Sequence, residues 1–179
     1  TGRRVNSGGA KIIFSDTQTH GRGAENYRRS GVVDPFRIPK DGYFAHKVMW
    51  DGWVDIENHH THIIGHWNYT PETQKPVYVV SSGDKVELFV NGKSKGFGRQ
   101  EYRFLFTFDS IQWEKGTIEA VSYLEDGTEV SRNSIKTIGD PNGLKLSLIQ
   151  GPNGTYADGA DLALVPVSYT HLTLPTTER

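Results

Sequence analysis

The stretch "KPVYVVSSGDKVELFVNGKSKG", Lys75–Gly96, decides how the chain is read. Val86, Leu88 and Val90 alternate with Glu87 and Phe89, giving Lys85–Asn91 one inward face of period two. Before it, "KPVYVVSS" reads as a second strand, turned by Gly83–Asp84. After it, Asn91–Gly92 is the strongest short hairpin signal, because both central residues of that tight turn need positive φ. The centre of the chain is therefore β.

Downstream the pattern continues. "YRFLFTF" places Tyr102, Phe104, Phe106 and Phe108 on one face, with Arg103 and Thr107 opposite. "GTIEAVSY" and "TEVSRNSIKTI" flank Asp126–Gly127, a second candidate for a turn with positive φ. Six or seven short strands with turns every eight to twelve residues indicate an immunoglobulin-like sandwich over 55–138. Beyond "GDPNG" at Gly139–Gly143, "LKLSLIQG" and "PNGTYADGADLALV" read as the start of a further β-sandwich over 139–166. Val167–Thr176, "VSYTHLTLPT", matches one reading frame of a transposon adapter common in sequencing libraries. Residues 167–179 are accordingly set apart as a non-native tail, although their alternating apolar residues also suit a strand.

Upstream the grammar differs. "AKIIFSD" is a short apolar run, followed by a long Gly- and Arg-rich loop. In "YFAHKVMWDGW", Tyr43, Phe44, Lys47, Val48 and Trp50 fall at helical spacing, with Asp41 to cap the helix and Pro39 before it. Strand, loop and helix make a β/α unit. One such unit cannot cover both faces of its strand, so 1–54 reads as a piece of a larger sheet or barrel.

Composition narrows the function classes. The 179 residues carry a formal net charge of -1, which gives no basic field for nucleic acid. No apolar stretch is long enough to span a bilayer, and zero cysteine excludes disulfides and thiolate metal sites. The glycines Gly21, Gly23 and Gly31 lack the spacing of a phosphate-binding loop.

Four of the seven histidines lie in "HHTHIIGH", His59–His66. Zinc needs three or four ligands converging tetrahedrally, usually from two elements. On a strand His60, His62 and His66 share a face with Ile64, while His59 points away. Three imidazoles so spaced are too extended to hold one ion without outside ligands. Asp55 and Glu57 keep a metal reading open, but no metal and no cofactor is expected here. Trp67 and Tyr69 suit either a sugar-stacking platform or the filling of a domain interface, and position favours the interface.

"HIIGHWNY" followed by "KPVYVVSSGDKVELFVNGKSKG" resembles the segment just after the catalytic barrel in glycoside hydrolase family 2, in its β-galactosidase-like members. His66, Trp67, Asn68 and Tyr69 match the His-Trp-Asn-aromatic motif. Val86, Glu87, Leu88, Phe89, Asn91, Gly92 and Lys93 match the strand and turn that come after it. "GGAKIIFSD" is similar to the eighth barrel strand, "IPKDGYFAHKVMW" to the last barrel helix, and "YADGADLALV" to the opening of the next sandwich.

The resemblance implies a mixed fold: the terminal β/α unit of a (β/α)8 barrel, an immunoglobulin-like sandwich and the start of a second β-sandwich. It implies a retaining glycosidase acting on terminal O-glycosidic bonds, with a carbohydrate substrate in the intact parent and a periplasmic or secreted location. The two catalytic glutamates of such enzymes belong to barrel strands outside this stretch. Glu25 and Glu57 fit neither position, so the fragment is expected to be inactive. A free-standing carbohydrate-binding or adhesion module is the competing reading, and the β/α unit argues against it. If Ile12–Phe14 is the eighth strand, Ser15, Asp16, Gln18 and His20 sit at the carboxyl end of the barrel, where substrates bind. Asp16 is the best candidate for a sugar contact, with loop capping as its alternative; His20 and Arg22 suit an acidic or hydroxyl-rich substrate group, with ordinary solvated loop residues as the alternative.

Overall fold

The computed structural model describes residues 13–17 and 29–171, with the backbone alone considered for 169–171. The chain divides into two compact units, the first ending at Phe44 and the second starting at Ala45. Ile12 of the expected barrel strand lies outside the described residues. Among the described residues of the first unit, short backbone bridges tie the chain together. Ser15 bridges Val33 in parallel, and Val33 bridges Pro39 antiparallel. Val32 and Val33 are the buried hydrophobic residues among those described in this unit, 7% and 2% exposed. A side chain at Gly31 would put its Cβ 2.3 Å from the Asp16 nitrogen, so only glycine lets these two backbones approach.

Helix α1 runs Asp41–Val54, as the spacing predicts. The Tyr43 and Phe44 N–H groups donate to the Lys40 carbonyl, and Asp41 in the first turn suits the positive end of the helix dipole. From Ala45 onward the helix belongs to the second unit. Val48 packs there with Val80 and Phe104, and Ala45 joins them. The Phe104 ring lies so close to Gly52 that a Cβ there would meet it at 2.5 Å.

The second unit is a sandwich of eight strands in two antiparallel sheets. Its strands are β1 (Thr61–Ile63), β2 (Gln74–Ser81), β3 (Lys85–Val90), β4 (Lys93–Phe97), β5 (Arg99–Tyr102), β6 (Leu105–Gln112), β7 (Thr117–Tyr123) and β8 (Glu129–Lys136). One sheet has the order β1-β2-β6-β5 and the other β4-β3-β7-β8. This is the order of a constant-type immunoglobulin domain with one extra edge strand, β4. Val77, Val79, Phe106 and Phe108 of the first sheet meet Val86, Leu88, Val90, Ile118 and Ala120 of the second in a single core. The inward face read from Val86, Leu88 and Val90 is the real one, each 0% exposed.

Four local readings need correction. The strand assumed for His60–His66 covers only Thr61–Ile63, because Gly65 takes a φ of 99° and turns the chain out of the sheet. Tyr102 does not share the Phe104–Phe108 face, since the chain turns between β5 and β6 and leaves Tyr102 74% exposed. Only Gly127 of the Asp126–Gly127 pair has positive φ, at 89°. Gly127 N–H bonds the Leu124 carbonyl and Leu124 N–H bonds the Thr128 carbonyl, so this is a three-residue hairpin with its left-handed residue last. Trp67 fills no domain interface; it is 2% exposed inside the sandwich core.

Two further strands pair antiparallel beyond the sandwich, β9 (Pro141–Leu146) and β10 (Val167–His171). β10 lies in the stretch expected to be a non-native tail. All six residues of β9 are exposed, so this ribbon has no core of its own.

Candidate functional site

Of the four residues expected at the barrel rim, Ser15 and Asp16 are described, whereas Gln18 and His20 lie outside the described residues, as do Arg22 and Glu25. The Asp16 carboxylate is already engaged. Its Oδ1 accepts from the Gly31 N–H at 2.8 Å, and the Lys40 ammonium donates to both oxygens at 3.0 and 3.1 Å. Lys40 also donates to the Arg29 carbonyl at 3.0 Å. Partial desolvation disfavours charge on Asp16, but the Lys40 and Gly31 hydrogen bonds outweigh it and hold the carboxyl below its ordinary value. Asp16 thus fastens the end of the long loop, at Arg29–Gly31, to the residues just past Phe14. The Ser15 hydroxyl donates to the Asp34 carbonyl at 3.0 Å and stiffens the same turn. Lys40 and Gly31 were legible only as parts of other motifs. Nothing in their spacing from Asp16 marks them as its partners.

The histidine-rich segment does not gather its imidazoles. His60 Nε2 lies 2.8 Å from Asp51 Oδ2 on α1, and Lys47 Nζ holds the same oxygen at 2.9 Å. His59 Nδ1 meets the Ser82 hydroxyl at 3.3 Å. His66 stacks on Tyr69, with ring centroids 4.4 Å apart and planes at 25°. Among the described residues no three His, Cys, Asp or Glu side chains are placed to hold a metal ion.

Trp67 and Asn68 close the sandwich. Trp67 Nε1 donates to the Glu114 carbonyl at 2.9 Å, while its own carbonyl accepts from Trp113 Nε1 and the Thr137 hydroxyl. Asn68 Oδ1 receives the Ile138 N–H at 3.0 Å. This motif therefore locks the entry of the sandwich to its exit. The aromatic centre of the motif serves the core of the sandwich. Sequence reasoning missed a surface group here: Lys75 Nζ donates to the Tyr69 hydroxyl at 2.7 Å and lies 4.5 Å from the centre of its ring.

This geometry has counterparts in known proteins. Residues 72–131, most of the sandwich, match a family described only as a domain of unknown function, DUF4982. A beta-glucuronidase of Formosa agariphila is 42% identical over 167 residues, 92% of this chain and 16% of that protein. A solved beta-glucuronidase from glycoside hydrolase family 2 superposes with a TM-score of 0.79 and 39% identity, over 89% of this chain and 16% of that one. The chain is a segment of a glycoside hydrolase family 2 protein. A beta-galactosidase of Bacteroides ovatus is also similar, 33% identical over 140 residues, or 76% of this chain and 15% of that protein. The family 2 segment thus spans about a sixth of the curated relatives it matches.

Proposed function

We propose that this segment belongs to a retaining β-glycosidase and is itself non-catalytic. The similarity at 42% identity runs through 92% of the chain, which supports this reading over a free-standing binding module. In the parent, 1–54 ends the catalytic barrel, 55–138 is the sandwich after it, 139–166 opens a further sandwich, and 167–179 is foreign to it. Two glutamates on preceding barrel strands supply the nucleophile and the acid/base, about 5–5.5 Å apart as double displacement requires. Terminal β-glucuronides come before β-galactosides as the substrate class, following the order of identity to the two relatives, 42% against 33%.

The test is the full reading frame, expressed and assayed on nitrophenyl β-glucuronide and β-galactoside. The parent is expected to turn over the first faster, and the present chain neither. A parent lacking both glutamates, or inert on both substrates, overturns the reading.

Ser15, Asp16, Gln18 and His20 border the substrate at the barrel rim in this proposal. Asp16 acts there through the loop it fastens. Asp16→Asn in the parent is expected to lower kcat/KM by about tenfold or more, as misplacement of a positioning loop does. The sandwich melting temperature should not change. Unaltered kinetics would remove Asp16 from the site.

A further inference from the structure

At the entry of the sandwich a pocket opens beside Pro76, which lies on β2 opposite a bulge in β6. Lys75 pairs with Ile111 and Val77 with Phe108, so two residues of β6 are passed over at the proline. Pro76 has no N–H to lose, which is why a bulge can hold it. Lys75 lies against Tyr69 on this side of β2, and Tyr78 is 40% exposed. Trp67 lies beneath, and Tyr69, Tyr78 and Pro76 give the pocket apolar walls. Two basic side chains, His66 and Lys75, line it, and no carboxylate does.

The donors are oriented. The Asn68 N–H donates to His66 Nδ1 at 3.2 Å, so the neutral imidazole carries its proton on Nε2. His66 is stacked on Tyr69, and the Lys75 ammonium is held by the hydroxyl of that same ring. An ammonium and an imidazole are thus both held against the Tyr69 ring, and both side chains line the same notch. Such a notch selects an acceptor-only anion carried on a body with apolar faces.

We propose that this pocket binds the carboxylate of an acidic monosaccharide, a uronic acid. Lys75 and His66 take the carboxylate, and Tyr78 and Pro76 lie along the pyranose ring. Only the carboxylate end enters, which suits a shallow pocket open to solvent. The choice of a sugar acid rests on the proposed glycosidase reading, whereas the preference for a carboxylate rests on the lining alone.

The experiment is an NMR titration of the full 179-residue chain, following the His66, Tyr69 and Tyr78 ring signals, with glucuronate, glucose and acetate as separate arms. Glucuronate is expected to shift these signals saturably in the millimolar range, about tenfold more tightly than acetate, with no response to glucose. Lys75→Gln and His66→Gln should each weaken glucuronate by about tenfold, and Lys75→Arg should retain it. Unshifted Leu88 and Ala120 amides would certify that the variants keep their core. An equal response to glucose, equal affinity for acetate, or variants that bind as the wild type would each overturn the proposal. Binding is read without turnover. Saturable glucuronate binding beside a parent inert on both glycosides would therefore defeat the glycosidase reading and leave this one standing.

Discussion

Between β4 and β5 a single residue, Gly98, carries the chain from one sheet of the sandwich to the other. Its N–H donates to the Val86 carbonyl at 2.9 Å, and a Cβ there would meet the Phe108 ring at 2.7 Å. Gly98→Ala must therefore displace a core aromatic ring, with an expected cost of about 1–3 kcal/mol in denaturant unfolding. A second single-residue effect is electrostatic. The Lys47 hydrogen bond, aided by the charges of Lys47 and His60, lowers Asp51 below its ordinary 3.8. A depressed carboxylate stabilises the fold above its unfolded pKa, and that contribution fades as pH falls through the folded one. The melting temperature of Asp51→Asn should thus lie below wild type at pH 6, and the gap should close as pH drops below about 4. A gap that stays constant with pH would show that packing, not charge, sets it. Neither feature was legible beforehand: Gly98 reads as one more turn glycine, and no pattern links Asp51 to His60 across the connector. By contrast, Val86, Leu88 and Val90 were legible because period two leaves a strand no other way to face inward.

At the level of elements, three hydroxyls join the sheets where a sandwich usually has only hydrocarbon. Thr61 on β1 and Ser81 on β2 meet Ser122 on β7 at 2.6 and 2.7 Å, and Ser81 also takes the Gly83 N–H at 3.0 Å. Ser81 and Ser122 are 0% exposed, so each hydroxyl depends on the others for its hydrogen bonds. Ser122→Ala leaves Thr61 and Ser81 to each other, at 3.2 Å, and should cost about 1–2 kcal/mol. A neutral effect on the urea midpoint would mean that water replaces the lost hydroxyl. The existence of most strands was readable from alternation, yet their edges were not. β1 is cut short by Gly65, and the β5–β6 turn falls inside an apolar run whose alternation looks unbroken. Trp67 was misassigned for a related reason: an aromatic beside a domain junction and one inside a core look alike until the strands around it are placed.

For the molecule as a whole, protection from exchange should follow the core and not the length of the strands. Val79, Leu88, Phe106 and Ala120 are at most 1% exposed and are drawn from both sheets, so their amides can open only when the sandwich does. The β9–β10 ribbon is also paired in register, yet Leu144 and Leu146 are 66% and 68% exposed. A two-stranded ribbon without a covered face is marginal in water. Hydrogen exchange on the present chain should therefore show β9 amides exchanging at least about a thousandfold faster than those of β3 and β7. In the proposed parent, those leucines belong to a further sandwich whose remaining strands would cover them, and the same β9 amides should slow there. Equal protection of β9 and β3 in the isolated chain would contradict both statements, because it would require a core that the exposed face of this ribbon does not provide.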